Sequence, residues 1–164
     1  MKTIVINTLE EDVAFSKLQH LLSHLDDLEI INTAEMNIQH CAGCNRCWLK
    51  TPGICAIKDD FEIILKKIVE AGDLWIVSGT HFGFLDYKGK RILDRIVPML
   101  NMYLEFRGKW MRHKLRYHEL NIGVIYKGKA DKDLLEEWSQ RAAENLGGHS
   151  LGVIELGKEE AICM

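Results

Sequence analysis

Thr3-Ile4-Val5-Ile6-Asn7 opens the chain with an unbroken run of β-branched, apolar residues. Such a run predicts a strand buried on both faces, the condition of a parallel sheet covered by helices. Four further runs follow: Glu29-Ile30-Ile31-Asn32, Leu74-Trp75-Ile76-Val77-Ser78, Ile122-Gly123-Val124-Ile125-Tyr126 and Leu151-Gly152-Val153-Ile154-Glu155-Leu156. Between them the spacing turns helical. Val13, Leu18, Leu21, Leu22 and Leu25 share one face. Asp59-Asp60 opens a helix with two carboxylates at its positive end, followed by Phe61, Ile64, Leu65, Ile68 and Val69 and stopped by Gly72. A helix from about Gly89 carries Ile92, Leu93, Ile96, Leu100 and Tyr103, with Pro98 bending it, and Asp131 to Leu146 forms another.

Strands alternating with helices predict an α/β fold, an open, doubly wound, parallel five-stranded sheet with helices on both faces. Right-handed crossovers favour the flavodoxin-like order 2-1-3-4-5. In such sheets ligands bind outside the carboxyl ends of the strands. Three stretches meet there: Thr8 to Ser16, Gly79 to Tyr87 and Lys127 to Ala130.

The chain has 164 residues, 47% of them hydrophobic and 27% charged, with a formal net charge of −3. This describes one globular domain, 1–164, with a Cys-rich loop at about 40–58. It gives no electrostatic reason to expect nucleic acid or an anionic membrane as partner. The most basic stretch, Lys109 to Arg116, reads as a surface segment. No apolar run approaches a membrane span, and the acidic turn at Glu10-Glu11-Asp12 argues against a signal peptide. A cytoplasmic protein is expected.

In that compartment the cysteines read as ligand-bearing or redox-active rather than as disulfides. Four of five lie in Cys41-Ala-Gly-Cys44-Asn-Arg-Cys47-Trp-Leu-Lys-Thr-Pro-Gly-Ile-Cys55, a C-x2-C-x2-C-x7-C run. Four soft ligands suit a [4Fe–4S] cluster or a structural zinc, and reduced cysteines packed in an irregular loop are the plain alternative. Cys163 stands apart and reads as incidental.

The ordered series Cys41-x-x-Cys44-x-x-Cys47, Cys55, Asp59-Asp60, Ser78-Gly79-Thr80 and Lys90-x-x-x-Asp94-Arg95 resembles the NAD(P)H-dependent FMN reductase family of flavodoxin-like proteins, in particular its iron–sulfur flavoprotein branch. The resemblance implies a homo-oligomeric flavoprotein that takes electrons from NAD(P)H or another redox protein. By position, Cys41, Cys44, Cys47 and Cys55 would hold the [4Fe–4S] cluster. Thr80, His81, Phe82 and Gly83 would lie along the flavin ring, and Tyr126 to Lys129, with Gly128, on its far side.

Two departures stand out. Where relatives carry a Gly-Ser-x-Arg type of loop for the FMN phosphate, this chain reads Asn7-Thr8-Leu9-Glu10-Glu11-Asp12-Val13-Ala14-Phe15-Ser16, so Thr8 and Ser16 are its cofactor-binding candidates. A carboxylate about 4 Å from a phosphate charge costs roughly 4 kcal/mol at an effective dielectric near 20. A helix N-terminus returns only about 0.3–1 kcal/mol. If these acids face the site, repulsion wins; if they point into water, only the donors lost at Ala14 and Phe15 matter. The expectation is that FMN is bound weakly, bound through other residues, or lost. The strand-three loop, Thr80-His81-Phe82-Gly83-Phe84-Leu85-Asp86-Tyr87, has His81 in place of a proline and is shorter than in relatives.

Elsewhere plain readings suffice. Asp59 and Asp60 act as helix-start acids, Lys90, Asp94 and Arg95 as helix-stabilising or subunit-contact charges, and His40 as a surface histidine, while Trp48 shields the Cys run. His81 sits on the ligand rim, where an imidazole can donate to a flavin or substrate oxygen, and a solvated loop histidine is its plain reading. The leading expectation is a flavodoxin-like redox protein: an FMN-dependent NAD(P)H oxidoreductase or electron-transfer iron–sulfur flavoprotein. It would serve a redox partner protein or a small-molecule acceptor. The alternatives are a flavin-free binding or assembly module whose cysteines hold a cluster or zinc, and an FMN-only quinone or nitro-compound reductase.

Overall fold

β1 (Thr3–Asn7) is buried along its whole length between β2 (Leu28–Asn32) and β3 (Asp73–His81), in parallel register with both, so Val5 sits beside Ile30 and Trp75. The computed structural model of the chain describes residues 2–10, 12–23, 25 and 27–158, with residues 12–16 described in backbone only. β7 (Leu120–Lys127) pairs with β3, and β8 (Gly147–Glu155) closes the other edge. The parallel order is β2-β1-β3-β7-β8, the expected 2-1-3-4-5 once the inserted strands are set aside.

The apolar runs face both ways, so the sheet has two cores. Val5, Trp75, Val77 and Ile125 pack under Leu18, Leu21 and Leu22 of α1 (Asp12–Leu21) and the turn after it. Ile4, Ile6, Leu74, Ile76, Ile122 and Val124 pack under α3 (Phe61–Glu70), α4 (Tyr87–Asp94) and α5 (Lys132–Asn145). Between β2 and α3 lie the Cys loop and its single helical turn, α2 (Arg46–Leu49). No helix among the described residues is long and apolar enough to cross a membrane.

One expected element is different. The helix from Gly89 does not continue through Leu100 and Tyr103: α4 ends at Asp94, and a 3-10 turn follows over Val97–Met99. Pro98 has no N–H to give an α-helix and sits at the start of that turn, which closes through Met99 N–H to Ile96 O at 2.8 Å. The chain then forms an antiparallel hairpin of β5 (Leu100–Arg107) and β6 (Trp110–Leu115), turning at Gly108 with φ +60°. The basic stretch Lys109 to Arg116 lies mostly on β6, with Lys109, Trp110 and Met111 exposed as expected of a surface segment.

Candidate functional site

The carboxyl end of β3 does not run on as an open loop. Thr80 and His81 pair antiparallel with Leu85 and Phe84 of β4 (Phe84–Leu85), through a two-residue turn at Phe82-Gly83. Both turn residues have positive φ, +50° and +80°, the pattern of a tight hairpin turn. Gly83 takes it freely, whereas Phe82 is held in a left-handed conformation that disfavours a side chain. The result is an aromatic ring at the tip, 95% exposed, with the His81 ring 4.2 Å away centroid to centroid.

This small hairpin is tied to the loop after β7. Asp131 N–H donates to Gly83 O at 2.8 Å, and Gly83 and Ala130 form an isolated bridge. Between the two loops lies a cleft of about 680 Å³, lined by Thr80, His81, Phe82 and Gly83 on one side and Lys127, Gly128, Lys129, Ala130 and Asp131 on the other. Gly128 has φ +121°, and a Cβ there would stand 2.5 Å from Thr80 Oγ1. Only glycine lets the two walls approach in this way.

Of the residues expected at the cofactor, Thr80, His81, Phe82, Gly83 and Gly128 line this cleft together. Tyr126 lies just behind it, in a contiguous hollow with Gly128, Lys129 and Glu155. Its hydroxyl donates to Glu155 Oε2 at 3.3 Å, and burial first, then that carboxylate, raises its pKa above the ordinary phenol value. Thr8 is placed differently: its hydroxyl is buried and donates to Val77 O at 2.9 Å, so it braces β1 against β3. The Ser16 side chain, Glu11 and Cys163 lie outside the described residues.

Glu10, expected to oppose a phosphate, is paired with Lys88 of α4, and the pairing raises the Lys88 pKa. The sequence offered no sign of that partner, which comes from the far side of the strand-three hairpin. Asp86 caps α4 by accepting from the Lys88 and Gly89 N–H groups, and Ser78 Oγ donates to it at 3.0 Å, fixing the end of β3.

The Cys loop is anchored away from these walls. None of the described cysteines lines the cleft. Trp48 Nε1 donates to Val97 O at 3.1 Å and its ring meets His113 at 4.7 Å, while Gly53 packs so closely on Tyr117 and Arg116 that a Cβ would collide with both. The loop thus rests on the β5–β6 hairpin and on α3, where Gly53, Ile54 and Cys55 line a second cavity of about 380 Å³ with Leu65, Lys66 and Val69. Two arginines at the end of α4 add to this anchoring. Arg91 Nη1 donates to Ile38 O at 3.1 Å, and Arg95 is buried against Asp59 at 2.5 and 3.0 Å.

Cys41, Cys44, Cys47 and Cys55 are all free thiols, the first two exposed and the others half-buried. Among the described residues no three His, Cys, Asp or Glu side chains stand close enough to hold a single metal ion. Burial pushes the Cys47 thiol pKa up, and Cys55, then Cys41 and Cys44, push it the same way. Cys55, Cys41 and Cys44 thus each lie within electrostatic reach of Cys47. Gly43 (φ +60°) and Asn45 (φ +55°) give the backbone between them its left-handed turns. The donor set fits an iron–sulfur cluster in number and softness.

No family model matches the chain. An iron–sulfur flavoprotein of Methanocaldococcus jannaschii is 37% identical over 73 residues, 44% of this chain and 37% of that protein. One from Archaeoglobus fulgidus is 38% identical over 69 residues, 42% of this chain and 33% of that protein. Among solved structures, RosB with bound 8-demethyl-8-formylriboflavin-5'-phosphate covers 94% of the chain and is itself covered over 64%, with TM-score 0.68 and 14% identity. An NADPH-quinone reductase of P. pentosaceus covers 95% of the chain, and the chain covers 84% of it, with TM-score 0.58 and 8% identity. The chain has the flavodoxin fold. The match spans only about a third of the length of the curated relatives. The solved structures, at such low identity, speak to its fold alone.

Proposed function

We propose that this chain is a redox flavoprotein that binds FMN in the cleft between residues 80–83 and 127–131, and that Cys41, Cys44, Cys47 and Cys55 hold a [4Fe–4S] cluster. One observation carries the reading: the cleft lies at the carboxyl ends of β3 and β7, where open α/β sheets bind their ligands. The flavin phosphate in RosB and the naming of the curated relatives as iron–sulfur flavoproteins support it. When bound, the two groups supply the electron chemistry, the flavin in steps of one or two electrons and the cluster one at a time.

The chain's own residues do the rest. Phe82 and His81 offer ring faces at one wall, Gly128 keeps the opposite wall low, and Lys127 and Lys129 bring positive charge to a rim in a chain of net −3. Those lysines suit an anionic donor such as NAD(P)H. In this reading the protein is a cytoplasmic homo-oligomer that passes electrons to a redox partner protein or a small acceptor. Glu10 does not argue for a flavin-free module, because Lys88 offsets its charge.

Titration by flavin fluorescence quenching tests the cleft, with micromolar or tighter affinity expected. Gly128→Val is expected to weaken FMN binding about a hundredfold, because its side chain meets Thr80 in the wall. It is also expected to cost about 1–3 kcal/mol of stability through backbone strain, so binding is read well below the variant's melting temperature. Wild-type protein that fails to quench FMN at all would overturn the assignment. Lys88→Met should weaken FMN only about three- to fivefold, the scale of an exposed ion pair, and Glu10→Gln in the same chain should restore it. For the cysteines, anaerobic iron and sulfide analysis with absorption spectroscopy decides, and Cys47→Ser should lose both elements together.

A further inference from the structure

Arg95 follows α4 directly and its side chain is fully buried. Its Nη1 donates to Gln39 O at 3.0 Å and to Asp59 Oδ2 at 2.5 Å. Its Nη2 donates to Asp59 Oδ1 at 3.0 Å, to Cys55 Sγ at 3.4 Å and to Ile57 O at 3.5 Å. The guanidinium lies over the Phe61 ring, 4.5 Å from its centre. Gln39 stands just before Cys41, and Cys55, Ile57 and Asp59 form the way out. One side chain therefore grips both ends of the cysteine-bearing segment and touches one of its sulfurs.

We infer that Arg95 is the positioning residue of the cysteine site: it clasps the loop shut and holds Cys55 Sγ in an N–H···S hydrogen bond that tunes whatever iron–sulfur centre forms there. The tuning half rests on the cluster reading above; the clasp half does not. Closing a long loop costs chain entropy, and a rigid fork with several donors offsets it where a lysine's compact charge cannot reach all these acceptors at once. A buried Arg–Asp pair is on average no better for stability than well-packed apolar side chains. The contact with Cys55 gives this pair a separate role. A donor to a ligating sulfur favours the reduced, more negative state of a cluster, so Arg95 raises its reduction potential.

Two variants of the full chain test this. Arg95→Lys keeps the charge and loses the fork; Arg95→Met with Asp59→Asn removes both charges and leaves no buried carboxylate alone. In metal-free protein, hydrogen exchange is read at the Lys50, Thr51 and Gly53 amides, which are bonded inside the loop to Arg46 O and Cys47 O, with α5 amides as internal reference. Exchange in the loop is expected to rise about tenfold or more in both variants while α5 is unchanged. In iron-loaded protein the double variant should show a lower midpoint potential with the same iron content. Unchanged loop exchange overturns the clasp, and an unchanged potential in the double variant overturns the tuning. Wild-type protein that takes up no iron sinks the cluster assignment, and the exchange ratio then decides the clasp by itself. If the double variant fails to fold, Arg95→Lys decides both.

Discussion

Gly123→Val is expected to destabilise the protein by about 3 kcal/mol or more, lowering the melting temperature by roughly 10 °C for a domain of this size. Gly123 lies in the centre of β7, directly beside Trp75 of β3. The indole lies across the glycine: a Cβ there would stand 2.5 Å from Trp75 Cζ3 and 2.6 Å from Cδ2. Trp75 is only 4% exposed, hemmed in by Val5, Leu18, Leu22, Val77 and Ile125, so its ring has no free space to enter. Close-packed interiors respond to such overfilling with off-rotamer side chains and backbone shifts. Chemical denaturation checks the size of the effect. A double-mutant cycle checks its cause: with Trp75→Leu already present, Gly123→Val should cost much less than in the parent. Additive costs would mean that the indole is not what the new side chain strikes.

The same glycine shows what the sequence could and could not say. Ile122-Gly123-Val124-Ile125-Tyr126 is legible as a buried strand because its apolar residues outweigh one glycine. That the glycine makes room for a tryptophan in the neighbouring strand depends on register, which a single sequence does not disclose. The five parallel strands, α3 and α5 were all legible from local patterns. The hairpin over 100–115 was not, because Ile92, Leu93, Ile96, Leu100 and Tyr103 happen to keep helical spacing. Gly108-Lys109, between two stretches rich in aromatics, was the available signal for a two-residue turn.

At the candidate site the division is similar. Thr80, His81, Phe82, Gly83 and Gly128 were placed by their position after predicted strands, and they do line one cleft. The pairing of Glu10 with Lys88, and of Asp59 with Arg95, joins segments far apart in the chain. Read locally, each of these charges had a sufficient helix-end or surface explanation. Nothing in the spacing distinguishes a carboxylate that faces water from one that meets a buried guanidinium.

Asp59 and Asp60 turn that point into a measurement. Sequence alone treats them as two interchangeable acids at a helix start, each worth about 1 kcal/mol on removal. The structure separates them. Asp60 accepts one hydrogen bond from the Asn37 N–H at 2.7 Å, and its replacement by alanine is expected to cost about 1 kcal/mol. Asp59 accepts from the Gln39 N–H at 2.8 Å, from the Phe61 N–H at 3.2 Å and from both terminal nitrogens of Arg95. Burial by itself would raise its pKa; Arg95 and the Gln39 and Phe61 amides overcome this and hold it below the usual carboxylate range. Asp59→Ala leaves the Arg95 guanidinium buried with no counter-charge, a change that costs about 3–5 kcal/mol in comparable interiors. Urea denaturation of the two alanine variants should therefore show a gap of at least about 2 kcal/mol between them, Asp59 the larger. Equal losses would return both residues to the role of helix-start acids and would remove the anchor on which the placement of the Cys loop depends.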